Sequence, residues 1–202
     1  MNLARLLQLA SPALPVGAYS YSGGLEAAIE AGVVTDANSA QKWIGDVLEF
    51  SICRMELPLL SRMLENTQEL QTLNSQFLAS RETSELRAES VQMGFSLKRL
   101  LGDLGAGDVP LEEPSFPAAF AFAARHWKIE PQAALQAYLW AWLENQVMAA
   151  VKAIPLGQTE GQKMLLSLSG AFPEVKDEGN FAPGLAMLSM KHETQYSRLF
   201  RS

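Results

Sequence analysis

The chain has 202 residues, of which 48% are apolar and 19% charged, and its formal net charge is −6. That balance excludes a disordered chain and suits a globular domain with its own core. The negative charge argues against nucleic acid as a partner, and the single cysteine, Cys53, excludes an internal disulfide and a multi-cysteine zinc site.

The predicted elements begin with a short apolar run at Leu3–Ala10. SPALPVGAYSYSGGLE follows, from Ser11 to Glu26. Its prolines and glycines forbid a helix, and its apolar and aromatic content is too high for a solvated linker. Tyr19 and Tyr21 each carry a large ring with a polar tip that needs a partner when buried. An ordered loop of this kind must be held, either by the core or by another protein. A helical run from Leu25 to Ala31 comes next. Asn38 and Gln41 read as a capping pair for a helix whose face is Trp43, Ile44, Val47, Leu48 and Ile52. Pro58 is expected to end or kink that helix, with Leu59 to Leu64 continuing as a second one.

A long helix is expected from Arg81 to Leu104, with Leu86, Val91, Met93, Leu97, Leu100 and Leu101 on its face and Arg81 pairing with Glu85. Gly102, Gly105, Gly107, Pro110 and Pro114 mark an interhelical loop. Ser115 caps a short helix carrying Phe116, Phe120 and Phe122. Pro131 starts the most apolar helix, which runs to Ile154 and reads as central and buried. Thr159 and Gln162 read as the cap of a further helix through Leu168, and Ala182 to His192 as the last helix. No period-2 alternation is sustained. The expectation is an all-α fold, one compact domain over 1–202 with roughly eight to ten helices.

Catalytic signatures are missing from this sequence: no P-loop, no H-E-x-x-H and no C-x-x-C. A small helical hydrolase would need a pocket holding a nucleophile and its base, and no such pair is legible. His126 reads as a helix C-terminal residue and Cys53 as a buried small hydrophobe. His192 beside Glu193 is half of a metal site at most, which makes His192 a weak metal candidate. Glu144, Asn145, Gln146 and Lys152 interrupt the central helix with polarity that must reach water, a partner group or an interface. From Lys191 to Ser202 the chain is locally basic. There Tyr196, Leu199 and Phe200 fall at i, i+3 and i+4, the spacing of one helical face. Aromatic and Arg anchors on a terminal segment suit either recognition in a groove or docking on the protein's own domain. No run of about 18 apolar residues occurs, and the first residues make a poor secretory signal, so a soluble cytoplasmic protein is expected.

Four segments together resemble a known family. SPALPVGAYSYSGGLE, LRAESVQMG, AYLWAWLENQVMAAVKAIPLGQTEGQ and MKHETQYSRLFRS, in that order, are similar to the urease accessory protein UreF. The resemblance implies an all-α, cytoplasmic, usually dimeric protein that is not an enzyme and needs no cofactor. It implies binding to UreD (UreH in some organisms), recruitment of the GTPase UreG, and docking on apo-urease during nickel delivery. A transient contact with nickel is the alternative it leaves open. By resemblance, His192, Glu193, Tyr196, Arg198 and Phe200 are candidates for contact with UreD/UreH. Gly17, Tyr19, Ser20, Glu26, Lys152 and Gln158 are candidates for the dimer or the UreG-facing surface.

Overall fold

Ten α-helices and no strand are found among the described residues, which in the computed structural model are 2–170, 172, 174–177 and 179–202. The all-α expectation holds. Helix α1 is Leu3–Ala10, and the glycine-rich loop after it leads to α2, Leu25–Glu30. Helix α3, Ala37–Val47, starts at a cap two residues before the expected one. Asp36 accepts from Ser39 N at 2.8 Å, and Ser39 Oγ accepts from Asp36 N at 3.0 Å. The short carboxylate closes the capping box, and Gln41 is left to donate to Ser167 Oγ at 3.2 Å.

Pro58 does not end the helix. A π-helical stretch, Leu48–Glu56, carries α3 into α4, Leu57–Glu65, and Pro58 sits in the first turn of α4. Lacking an N–H, Pro58 cannot serve the Arg54 carbonyl one turn earlier. The connector before the last helix supplies the missing donors. Gly179 N donates to Arg54 O at 3.1 Å, Lys176 N to Cys53 O at 3.0 Å and Phe181 N to Phe50 O at 3.0 Å.

Helix α5, Leu70–Ala79, has no counterpart among the predicted elements, although Leu70, Leu73, Phe77 and Leu78 keep helical spacing and are buried. Helix α6, Ser84–Asp103, starts after Arg81 because Thr83 Oγ1 accepts from Leu86 N at 3.2 Å. Arg81 therefore lies outside the helix. It pairs with Glu56 at 3.2 Å and not with the expected Glu85. Ser115 caps α7, Phe116–His126, as expected. Phe116, Phe120 and Tyr138 stack their rings between α7 and α8, with centroids 5.1–6.0 Å apart.

Helix α8, Pro131–Ala153, is central: Leu143, Val147 and Ala150 are wholly buried. It packs against α1 and α4 on one side and α2, α3 and α9 on the other, so its apolar run faces two cores. Helix α9, Gln158–Ser169, is capped by Gly157 and not by Thr159, and α10 is Pro183–His192. Beyond α10 the chain is not helical. The predicted tail face does not form: Tyr196 is fully exposed whereas Phe200 is buried.

Helix α6 meets the start of α7 closely at Gly94. A Cβ there would lie 2.1 Å from the Pro114 carbonyl oxygen and 2.7 Å from the Ser115 backbone. Backbone cannot yield as a flexible side chain can, so α6 and the start of α7 meet only without that carbon. Gly94→Ala is expected to cost about 2–3 kcal/mol by overpacking, read as a lower urea midpoint with an unchanged m-value.

Candidate functional site

The loop from Ser11 to Gly24 is fixed by its own geometry and by two helices. Gly17 has φ of 81°, a left-handed conformation that lets the chain enter the turn Ala18–Ser20. The two tyrosines then part. Tyr21 is buried: its hydroxyl donates to Gln92 Oε1 at 3.2 Å, and its carbonyl accepts from Asn145 Nδ2 at 3.1 Å. Burial pushes the Tyr21 phenol above its ordinary range. Tyr19 points outward and is 73% exposed. Asn145, one of the polar residues that interrupt α8, thus serves the loop.

The tail folds back onto this loop. Arg201 N donates to Ser20 O at 2.8 Å, and Ser22 N donates to Ser202 O at 3.0 Å. Ser22 Oγ also donates to Ser202 O. Glu26, on the first turn of α2, holds the preceding turn of the tail. Its carboxylate accepts from Leu199 N at 2.6 Å and Phe200 N at 2.8 Å. Phe200 is buried with Lys152 Nζ 4.6 Å from its ring centre.

His192 closes the cluster. Its ring is wholly buried, with Nδ1 2.6 Å from Glu85 and Nε2 3.3 Å from Glu26. One ring nitrogen meets each carboxylate. Arg198 adds a cation on Glu85 at 2.6 Å, a charged partner of the kind that a largely buried carboxylate requires. Glu193 turns elsewhere: it accepts from Ser84 N at 3.0 Å and Ser84 Oγ at 2.6 Å at the start of α6. These bonds hold its carboxyl below the usual range. His192 and Glu193 therefore do not converge. Among the described residues, no group of three or more His, Cys, Asp or Glu is placed to hold a metal ion.

Of the sequence candidates, Ser20, Glu26, Lys152, His192, Arg198 and Phe200 meet in one cluster. Gly17 and Tyr19 lie in the loop beside it. Tyr196 is fully exposed, and Gln158 is exposed at the start of α9. Sequence reasoning missed Glu85, Glu89 and Ser22. The two glutamates lie one turn apart on α6, a spacing that could have shown them as an acidic stripe. Nothing local in the sequence links Ser22 to Ser202.

Beneath the loop lies a cavity of about 330 Å³. Its walls include Leu14, Val16, Phe77 and Trp142, and its polar residues include Glu56, Arg81, Glu89 and Tyr138. Glu56 and Arg81 form an ion pair with side chains only 7% and 9% exposed, and the Tyr138 hydroxyl donates to Glu56. Burial and the neighbouring Glu56 push the Tyr138 phenol well above its ordinary range. Glu89 accepts from Ser202 Oγ at 2.6 Å, and burial pushes its carboxyl up to about 7. Among the described residues no His or Cys lines the cavity, so none of them places a nucleophile beside a histidine base there. Cys53 lies in the core, its thiol pushed up to about 11 by burial and so inert at neutral pH. His126 is exposed in the last turn of α7. No described helix is long and apolar enough to cross a membrane.

The fold and site define an all-helical protein in which the glycine-rich loop and the tail form one hydrogen-bonded surface. Comparison with known proteins gives the family. The UreF family model matches residues 34–169. The chain is 56% identical to the urease accessory protein UreF of Azoarcus sp. (strain BH72), covering 100% of this chain and 96% of that protein. It is 51% identical to that of Methylobacillus flagellatus and 48% identical to that of Dechloromonas aromatica, in both cases over 100% of this chain and 98% of the relative. The chain belongs to the UreF family.

Two outcomes follow from these contacts. Glu26→Ala removes the acceptor of two backbone donors. Amide exchange at Leu199 and Phe200 is expected to rise at least about tenfold, measured by hydrogen–deuterium exchange, with α8 amides unchanged. Glu89, raised to about 7, makes the folded state bind more protons than the unfolded chain between its ordinary value of 4.5 and about 7. Its contribution to stability is complete below that window and is lost as pH rises through about 7. Between pH 5 and 8, Glu89→Gln is expected to lose up to about 3 kcal/mol less stability than the parent chain, read from urea midpoints across pH.

Proposed function

We propose that this chain is a non-catalytic scaffold in urease maturation. It joins UreD/UreH to the GTPase UreG and, through them, docks on apo-urease as the nickel site is built. Family membership supports the role in maturation. The observation that carries the scaffold reading is the fixed tail with apolar side chains left in solvent. Tyr196 is fully exposed and Leu199 half exposed, although the backbone around them is tied to Glu26, Ser20 and Ser22. Met187 and Met190 extend exposed apolar surface along α10. Rigid aromatic anchors lose little conformational freedom on binding, which suits a protein interface.

In this reading Tyr196 and Leu199 touch UreD/UreH. His192, Glu193, Arg198 and Phe200 hold the tail in shape. Tyr19, Lys152 and Gln158 are exposed and available to UreG or to a second copy in a homodimer, while Gly17, Ser20 and Glu26 shape the loop that carries Tyr19. The complex works in the cytoplasm and modulates UreG turnover. Nickel is cargo of the assembly; His192 gives no support for direct binding, since both its ring nitrogens are already engaged.

Tyr196→Ala with Leu199→Ala is expected to weaken co-purification with UreD/UreH by roughly thirtyfold, an anchor loss of about 2 kcal/mol, with an unchanged helical circular-dichroism spectrum. Unchanged binding overturns the tail assignment. UreG turnover measured with the UreD/UreH complex of the parent chain and of Tyr19→Ala tests the loop, and equal rates in the two overturn its UreG-facing role.

A further inference from the structure

Methionine sulfur reaches solvent mainly on one helix. Of the eight methionines, Met55, Met63, Met93 and Met164 are buried, and Met1 lies outside the described residues. Met148 on α8 is 39% exposed, whereas Met187 and Met190 on α10 are 63% and 60% exposed. Three residues apart, these two share one face of α10. The opposite face carries Leu185, Leu188, Ser189 and His192, all buried, so the helix is held without help from either thioether. A thioether is apolar and polarisable, and its sulfoxide is polar. Cys53 does not compete for an oxidant: its thiol is buried and stays protonated at neutral pH.

We propose that Met187 and Met190 form a reversible oxidation site, through which a hydroperoxide turns the outer face of α10 from apolar to polar. A sulfur lone pair attacks one peroxide oxygen; the O–O bond breaks as an S–O bond forms. Sulfur gives up two electrons. The departing hydroxide takes the proton from the new S–O group, so hydrogen peroxide ends as water and the methionine as its sulfoxide. Reversal removes that oxygen as water with two electrons from a dithiol, which becomes a disulfide, and needs one reductase for each sulfoxide epimer. Both sulfurs lie on the outer face, so the new oxygens meet water and α10 keeps its buried contacts. The consequence for partners rests on the scaffold reading above. Helix α10 leads into the segment that presents Tyr196 and Leu199, and a polar face beside them weakens docking of UreD/UreH.

The test treats the full chain with hydrogen peroxide and maps sulfoxide by peptide mass spectrometry. Met187 and Met190 are expected to oxidise about tenfold faster than Met63 and Met164, which must wait for the fold to open, and faster than Met148. The oxidised parent chain should elute earlier from a hydrophobic-interaction column with an unchanged circular-dichroism spectrum. Met187→Leu with Met190→Leu keeps apolar side chains of similar volume and should show no such shift. Both methionine sulfoxide reductases with dithiothreitol should restore the parent's retention. Binding to UreD/UreH should fall about tenfold on oxidation of the parent and stay unchanged in the treated double variant. Uniform oxidation of all methionines overturns the proposal, as does a lost helical spectrum or retention that the reductases leave unrestored. An equal shift in the double variant, or a shift abolished by Met148→Leu alone, overturns it too. Unchanged UreD/UreH binding by the oxidised parent overturns its effect on docking. Should the untreated chain not bind UreD/UreH, the scaffold reading falls, while mapping and retention still decide the oxidation site.

Discussion

The carboxylate of Glu26 is the point on which the loop and tail depend. It sits at the start of α2, half-buried, and holds two consecutive backbone donors of the tail. A carboxylate bound to backbone N–H groups is charge-assisted and short, and such bonds are stronger than neutral ones. Its position also explains the burial of His192, which could not lie wholly inside without Glu26 on one nitrogen and Glu85 on the other. From these bonds follow the seat of Phe200, the approach of Lys152 and the return of the tail to Ser20 and Ser22. What reads as a surface of separate motifs is one hydrogen-bonded unit.

A similar economy operates around the π-helical stretch. The wide turn and Pro58 together leave carbonyls of Phe50, Cys53 and Arg54 needing donors beyond their own helix. The connector before α10 provides three backbone donors. Buried carbonyls cannot go unpaired cheaply, so the irregular connector is fixed by the irregular helix. This places α10, and thereby His192, against α2 and α6. An apparent defect in one helix thus sets the position of another element far away in sequence.

The fold was largely legible in the sequence because helices write their period into it. The central helix at Pro131, the cap at Ser115 and the last helix were each visible from spacing and local chemistry. The caps at Asp36 and Gly157 were misplaced because several residues nearby could satisfy the same pattern, and geometry chose among them. Pro58 reads as an end or a kink because a single sequence does not reveal donors arriving from more than a hundred residues away. The site was legible only in part. Tyr19, Glu26, His192 and Tyr196 stood out as residue types in unusual settings. Their division of labour was not visible, because whether an aromatic ring points into the protein or away from it is decided by long-range contacts. The helical spacing of Tyr196, Leu199 and Phe200 misled for the same reason: Glu26 captures the backbone there, and a helix would need those N–H groups for itself.

The bond from Ser22 to Ser202 spans 180 residues of chain. A ribosome makes the glycine-rich loop long before its clasp, 180 residues further along the chain. Contacts so distant in sequence carry a high closure cost and form late. During synthesis, therefore, the loop is present without its final shape, and an incomplete chain cannot display the assembled loop–tail surface. The architecture makes that surface available only once the chain has been made as far as Ser202 and has folded back onto Ser22.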